Sequence, residues 1–305
     1  MTQHVTVGID GSVQSAAAAE WAAREAHRRG LALRMIHVAG TEADALEREL
    51  GGGAELPGRV AEICDGIAAA WPGLDVTCEV QPGHPAYTLA AASGRAELLV
   101  LGSRGLGGFT GLLVGSVGLR TAARSLAPVV LVRAESGRTD APAAATSADA
   151  TSADGAPADA APGDVVVGVE GDRPCDAVLE FAFERAADLG ARLRALESRP
   201  TSHDVYTTQA PVEQAEIRES LAAAEQVRLQ DALARWQDKF PQVRVEVEVC
   251  PWSASRALVE ASRGASLVVL GRRTARVPLT GPHLGPVVQS VLHHAHAPVA
   301  VVPHH

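Results

Sequence analysis

The chain has 305 residues, 47% of them apolar, 21% charged and only 3% aromatic, with a formal net charge of −9. This length holds two domains of ordinary size, and the composition excludes wholesale disorder. An acidic balance with no basic run lacks the electrostatic footprint of a nucleic-acid or anionic-membrane binder, and the single lysine, Lys239, excludes a lysine-bearing phosphate loop in the first half.

In chain order, residues 5–9 form a short continuous apolar run that reads as a buried strand, and 16–29 a helical stretch with Trp21 and its alanines on one side. A strand at 31–38, a helix at 56–71, a strand at 75–80 and a helix at 87–93 follow. A strand at 98–101, a helix at 116–125 and a strand at 129–132 complete the series. Strands alternating with helices imply parallel βαβ units, and continuous rather than alternating apolar strands imply that both sheet faces are covered. The expected fold class is α/β, doubly wound and Rossmann-like, with a five-stranded, mostly parallel sheet.

Residues 134–163 are nearly all Ala, Pro, Ser, Thr, Asp and Gly, with no apolar periodicity. They read as a flexible linker whose random-coil reach of roughly 30 Å lets two domains lie side by side. Beyond it the series begins again. Val5-Thr6-Val7-Gly8-Ile9-Asp10-Gly11 aligns with Val165-Val166-Val167-Gly168-Val169-Glu170-Gly171, and Gly30 falls on Gly190. Gly102 falls on Gly271 and Ala127-Pro128-Val129 on Ala297-Pro298-Val299, so the second copy has gained residues, including one after Gly271. The organisation is a first domain over 1–133, a linker over 134–163 and a second domain over 164–305.

The four cysteines, Cys64, Cys78, Cys175 and Cys250, form no CxxC pair and read as reduced, buried thiols. Met1 to Ser12 runs into a strand with no basic leader, and no segment approaches the ~18 apolar residues of a membrane span, so a cytoplasmic protein without membrane association is expected. The histidines near the end, His283, His293, His294, His296, His304 and His305, have no carboxylate or cysteine at ligand spacing and read as helix and tail surface.

In a doubly wound sheet, ligands lie outside the carboxyl ends of the strands. The segment after the fourth strand runs Gly102-Ser103-Arg104-Gly105 and ends at Gly115-Ser116, a Gly-x2-Gly-x9-Gly-Ser pattern opening a helix. Glycines let backbone N–H groups approach an anion, and a helix start adds free donors and the positive end of its dipole. Arg104 offers a charge; Ser116 offers a hydroxyl donor or an N-cap. Asp10, after the first strand, suits a ribose hydroxyl, an adenine amino group or a magnesium ion, or a turn role of its own.

With Val7-Gly8-Ile9-Asp10-Gly11-Ser12, His37-Val38, Gly83-His84-Pro85 and this glycine pattern before Ala127-Pro128-Val129, the chain resembles the universal stress protein family in its tandem-domain form. The resemblance implies an adenine-nucleotide α-hydrolase-like fold. It also implies ATP, with or without magnesium, lying across Ile9, Asp10, Val38, Gly102, Gly105, Gly115, Ser116 and Val117. It further implies fifth strands that mediate pairing, here as a pseudo-dimer within the chain and with room for a homodimer.

The second copy departs from the pattern: Thr274 stands for the second glycine, Pro286 for Ser116, Glu170 for Asp10 and Glu197 for His37. Proline lacks an N–H, so this half reads as structural or regulatory. The expected function is an ATP-binding stress-response module acting on an unidentified protein partner. A slow ATPase and a nucleotide-free scaffold are the alternatives, since no positioned lysine, acidic pair or activated nucleophile marks the first copy for efficient phosphoryl transfer.

Overall fold

The computed structural model describes residues 3–40, 56–103, 114–133, 163–170, 173–199, 211–274 and 282–304. The first repeat comprises β1 (His4–Ile9), α1 (Val13–Arg29), β2 (Ala32–Ala39), α2 (Gly58–Ala70), β3 (Val76–Pro82), α3 (Pro85–Ala92), β4 (Leu98–Gly102), α4 (Ser116–Arg124) and β5 (Val129–Val132). The second comprises β6 (Val165–Gly168), α5 (Asp176–Leu189), β7 (Leu193–Ser198), α6 (Pro211–Lys239), β8 (Val245–Cys250), α7 (Ala254–Ala261), β9 (Leu267–Arg273), α8 (Pro286–His294) and β10 (Val299–His304).

All these strands join in one sheet of order β3-β2-β1-β4-β5-β10-β9-β6-β7-β8. Pairing is parallel within each repeat and antiparallel only where β5 meets β10, with Val130 opposite Ala300. Each repeat alone would leave its fifth strand, four residues long in β5 and six in β10, as an unpaired apolar edge, an aggregation liability. Joining the two edges removes it.

The sheet is covered on both faces, as its continuous apolar strands require. One core gathers Val5, Val7 and the alanines of α1 with Val130, Val165, Val167, Phe183 and Ala300, so it runs unbroken through both repeats. The other places Leu89, Leu99, Leu101 and Leu131 with Leu258, Leu270, Val291 and Leu292. Five of the seven alanines of α1, Ala18, Ala19, Ala22, Ala23 and Ala26, are fully buried and let that helix lie close on the strands. Gly30 closes α1 in the left-handed conformation at φ 62°, and Gly190 closes α5 at φ 60°.

The strand registers reproduce the spacing of the repeats. Leu33 lies opposite Val76 and Leu193 opposite Val245, which places the added residues of the second repeat between β7 and β8, where the 29-residue α6 runs. The expected linker lies outside the described residues apart from Gly163, as does the loop from 104 to 113.

Candidate functional site

At the carboxyl end of β1 the chain must leave the sheet and enter α1 within three residues. Gly11 makes that turn at φ 81°, a left-handed conformation that side-chain-bearing residues rarely adopt. Ser12 is the N-cap: its hydroxyl accepts from the Ser15 N–H at 3.1 Å, which starts the helix at Val13 rather than at residue 16. Asp10 keeps its turn role, Oδ1 accepting from the Ser12 N–H at 3.0 Å, while its own N–H donates to Ser15 Oγ at 3.3 Å. Ser15 was not singled out from the sequence, although the Ser-x-x-Ser spacing carries the signal. The result is a carboxylate held at the mouth of the sheet by its local backbone.

Beside it, β4 ends at Gly102. A Cβ there would stand 2.8 Å from the carbonyl carbon and oxygen of Gln14, so only glycine lets the first turn of α1 approach the strand this closely. The next residue is buried Ser103, whose N–H donates to the Val132 carbonyl at 2.8 Å and whose carbonyl accepts from the Gly115 N–H at 2.7 Å. That last bond returns the chain to the strand ends. It also consumes the Gly115 donor expected to face a ligand.

Gly115 is the N-cap of α4 at φ −75°, ψ 156°, and makes no side-chain cap bond. Ser116 is therefore the first helical residue, not the cap, and it is exposed. The N–H groups of Ser116, Val117 and Gly118 lie in the first turn, where no helical acceptor exists, and the helix dipole adds partial positive charge there. Backbone donors at the carboxyl end of β4, one strand from β1 and the Asp10 that follows it, form a surface for an anion.

Ile9 and Val38 are buried at the ends of β1 and β2, and the His37 ring nitrogen Nδ1 lies 2.9 Å from the Ile9 carbonyl, tying the two strand ends together. Thus Ile9, Asp10, Val38, Gly102, Gly115, Ser116 and Val117 share one end of the sheet. Arg104 and Gly105 lie outside the described residues.

The corresponding end of the second repeat is built differently. Gly285 caps α8 with nearly the same geometry, φ −65° and ψ 159°, but Pro286 follows in place of Ser116 and removes one donor. β9 also continues to Arg273, because β10 extends to His304 and pairs with it. Thr274 then spends both its N–H, at 2.6 Å, and its hydroxyl, at 2.7 Å, on the His304 carbonyl. The backbone that would cradle phosphate is engaged in the sheet.

A cleft of about 830 Å³ remains there, with Glu170, Glu197, Arg272 and Arg273 among its walls. Glu170 faces Arg273 at 3.4 Å, and buried Glu197 pairs with Arg199 at 2.8 Å and Arg228 at 3.3 Å, so both acids are paired, while Arg173 and Arg272 leave the walls with more basic than acidic groups. Arg272 is 6% exposed, burial pushes its guanidinium pKa down, and its Nη2 donates to the Ser125 carbonyl at the C-terminus of α4. Arg133 does the converse, donating to the Leu292 and His293 carbonyls that end α8 at 3.0 and 2.8 Å.

Among the described residues no cluster of three metal-ligating side chains occurs, and no helix is long and apolar enough to cross a membrane. The universal stress protein family model matches residues 1–133 and 163–303. Universal stress protein Rv2005c of Mycobacterium tuberculosis is 30% identical over 312 residues, spanning 98% of this chain and 97% of that protein. Universal stress protein Rv1996 of the same organism is 30% identical over 322 residues, spanning 97% and 94%. The crystal structure of a universal stress protein from Archaeoglobus fulgidus superposes with a TM-score of 0.62 at 18% identity, covering 98% of both chains, which supports the fold. With two matched segments on two joined α/β repeats, the chain belongs to the universal stress protein family.

Proposed function

We propose that the first repeat binds ATP, with or without magnesium, at the carboxyl ends of β1, β2 and β4, and that the protein is a cytoplasmic stress-response module whose nucleotide occupancy biases a protein partner. One observation carries the reading. The first turn of α4 opens at the same end of the sheet as the Asp10 carboxylate with no side chain capping it, while the matching turn of the second repeat has lost a donor to proline and its strand end to Thr274. Phosphates would meet the N–H groups of Ser116 and Val117 and the Ser116 hydroxyl, with Arg104 and Gly105 completing the cradle and Gly102 and Gly115 shaping the backbone that carries it. The adenosine would lie toward Ile9, Asp10 and Val38, and the Asp10 carboxylate is the group suited to a ribose hydroxyl or to magnesium.

The helix that would hold the phosphates also touches the other repeat. α4 is nine residues long, and the Ser125 carbonyl behind it accepts from buried Arg272, which lines the second cleft. This contact is a route by which occupancy of the first repeat reaches the second, whose role is structural or regulatory. The test is mass spectrometry of the small molecules released on denaturing the purified protein. An adenine nucleotide in the wild type that is depleted in Ser116→Pro, which lacks both the N–H and the hydroxyl at that position, supports the reading; an unchanged amount in that variant contradicts the cradle.

A further inference from the structure

The two fifth strands are nearly the same in sequence, Val129-Val130-Leu131-Val132 against Val299-Ala300-Val301-Val302, and they pair through backbone and apolar side chains. Nothing in that contact distinguishes a first repeat from a second. Because Val130 stands opposite its own counterpart Ala300, a pseudo-two-fold axis passes through the pairing. Such an axis brings equivalent residues face to face.

On α1 and α5 the equivalents brought together are Glu25 and Arg185, which are 160 residues apart. Their side chains form an ion pair while only 2% and 3% exposed. The pair is flanked on each side. Arg28 Nη1 lies 3.3 Å from Glu25 Oε2, and Arg185 Nη2 lies 2.7 Å from Asp188 Oδ2. Arg28 and Asp188 are themselves equivalents of opposite sign, as are Arg24 and Glu184. The row Arg28–Glu25–Arg185–Asp188 thus alternates in charge across the axis and changes sign on exchange of the repeats.

We propose that this sign inversion makes the pairing surface of the first repeat accept a second repeat, from its own chain or from another copy, and refuse another first repeat. Two first repeats would set Glu25 against Glu25, and two second repeats Arg185 against Arg185, each in a site with almost no water to screen like charges. The apolar strand edge supplies the attraction; the buried charges supply the choice.

Full-length charge-reversal variants test this. Glu25→Arg presents arginine on both repeats and Arg185→Glu presents glutamate on both, so neither single variant has a compatible pairing. Each should melt at least about 5 °C below the wild type, and Glu25→Arg/Arg185→Glu should recover part of that loss, because the central pair is restored while Arg28 and Asp188 then flank like charges. Glu25→Arg co-expressed with Arg185→Glu, under different affinity tags, should purify as a 1:1 two-chain complex by exchange of repeats. Glu25→Arg co-expressed with itself under two tags should not.

Should the single variants prove insoluble, a soluble co-expressed pair still supports the proposal. An insoluble pair beside a soluble double reversal overturns it. It is equally overturned by single variants that melt with the wild type, by a double reversal no more stable than the single ones, or by tagged pairs that never associate.

Discussion

Replacing Gly102 by alanine tests how closely the first repeat is built at its site. The added methyl group would meet Gln14 main-chain atoms at 2.8 Å and the Gln14 Cβ at 3.1 Å. Backbone cannot rotate away, so relief requires lifting the start of α1 from β4, an overpacking cost of about 1–3 kcal/mol. For a protein of this size that corresponds to a melting shift of roughly 2–10 °C. The equivalent change, Gly271→Ala, meets His304 Nε2 at 2.8 Å and Val178 Cγ2 at 3.0 Å, both at the ends of side chains. A small rotamer shift relieves it, for about 1 kcal/mol or less. Urea unfolding of the two variants beside the wild type measures both losses; equal losses, or a larger one at Gly271, would refute the claim that main-chain proximity makes Gly102 obligatory.

Arg272→Ala leaves the Ser125 carbonyl without its cross-repeat donor and should cost about 1–3 kcal/mol in urea unfolding. Burial, chiefly, and contact with Cys78 push the buried Cys64 thiol up to about 12. Relative to the unfolded chain its neutral form is favoured, so its contribution to stability is intact below the unfolded pKa and is lost as pH rises from about 9 toward 12. At pH 8 its thiolate fraction is about 1,000-fold below that of an ordinary thiol. A maleimide mapped by peptide mass spectrometry should therefore leave Cys64 unlabelled until the protein is denatured. Pro286→Ser restores a donor and a hydroxyl to α8 but leaves the Thr274 N–H on His304, so it should confer no second ATP site in equilibrium dialysis.

The repeat, the alternation of strands and helices, and the difference between the two glycine loops were legible because they are local: apolar period, glycine position and proline substitution. Register bears this out, since Leu99 opposite Val129 and Val268 opposite Val299 show the one-residue gain after Gly271 seen by self-comparison. What escaped reading depends on contacts distant in sequence or on competition among local donors. α1 begins three residues before its apolar period because Ser12, rather than that period, starts it. The Gly115 donor proved engaged by Ser103, and the second loop proved closed by β10 continuing to His304, a pairing that no single segment announces. Glu25 and Arg185 were visible as aligned opposites, but their meaning required the axis that sets them face to face.

Calorimetric titration of the full-length protein with ATP, beside Ser116→Pro, tests the central claim most directly. Proline is accepted at the first position of a helix, so the variant removes the N–H and the hydroxyl at that position while α4 remains folded; it imports the residue that the second repeat already carries. The predicted result is one ATP per wild-type chain and at least about tenfold weaker binding in the variant, the order expected for losing one or two charge-assisted hydrogen bonds. Two equivalents per chain, no heat in the wild type, or an unchanged affinity in Ser116→Pro would contradict it.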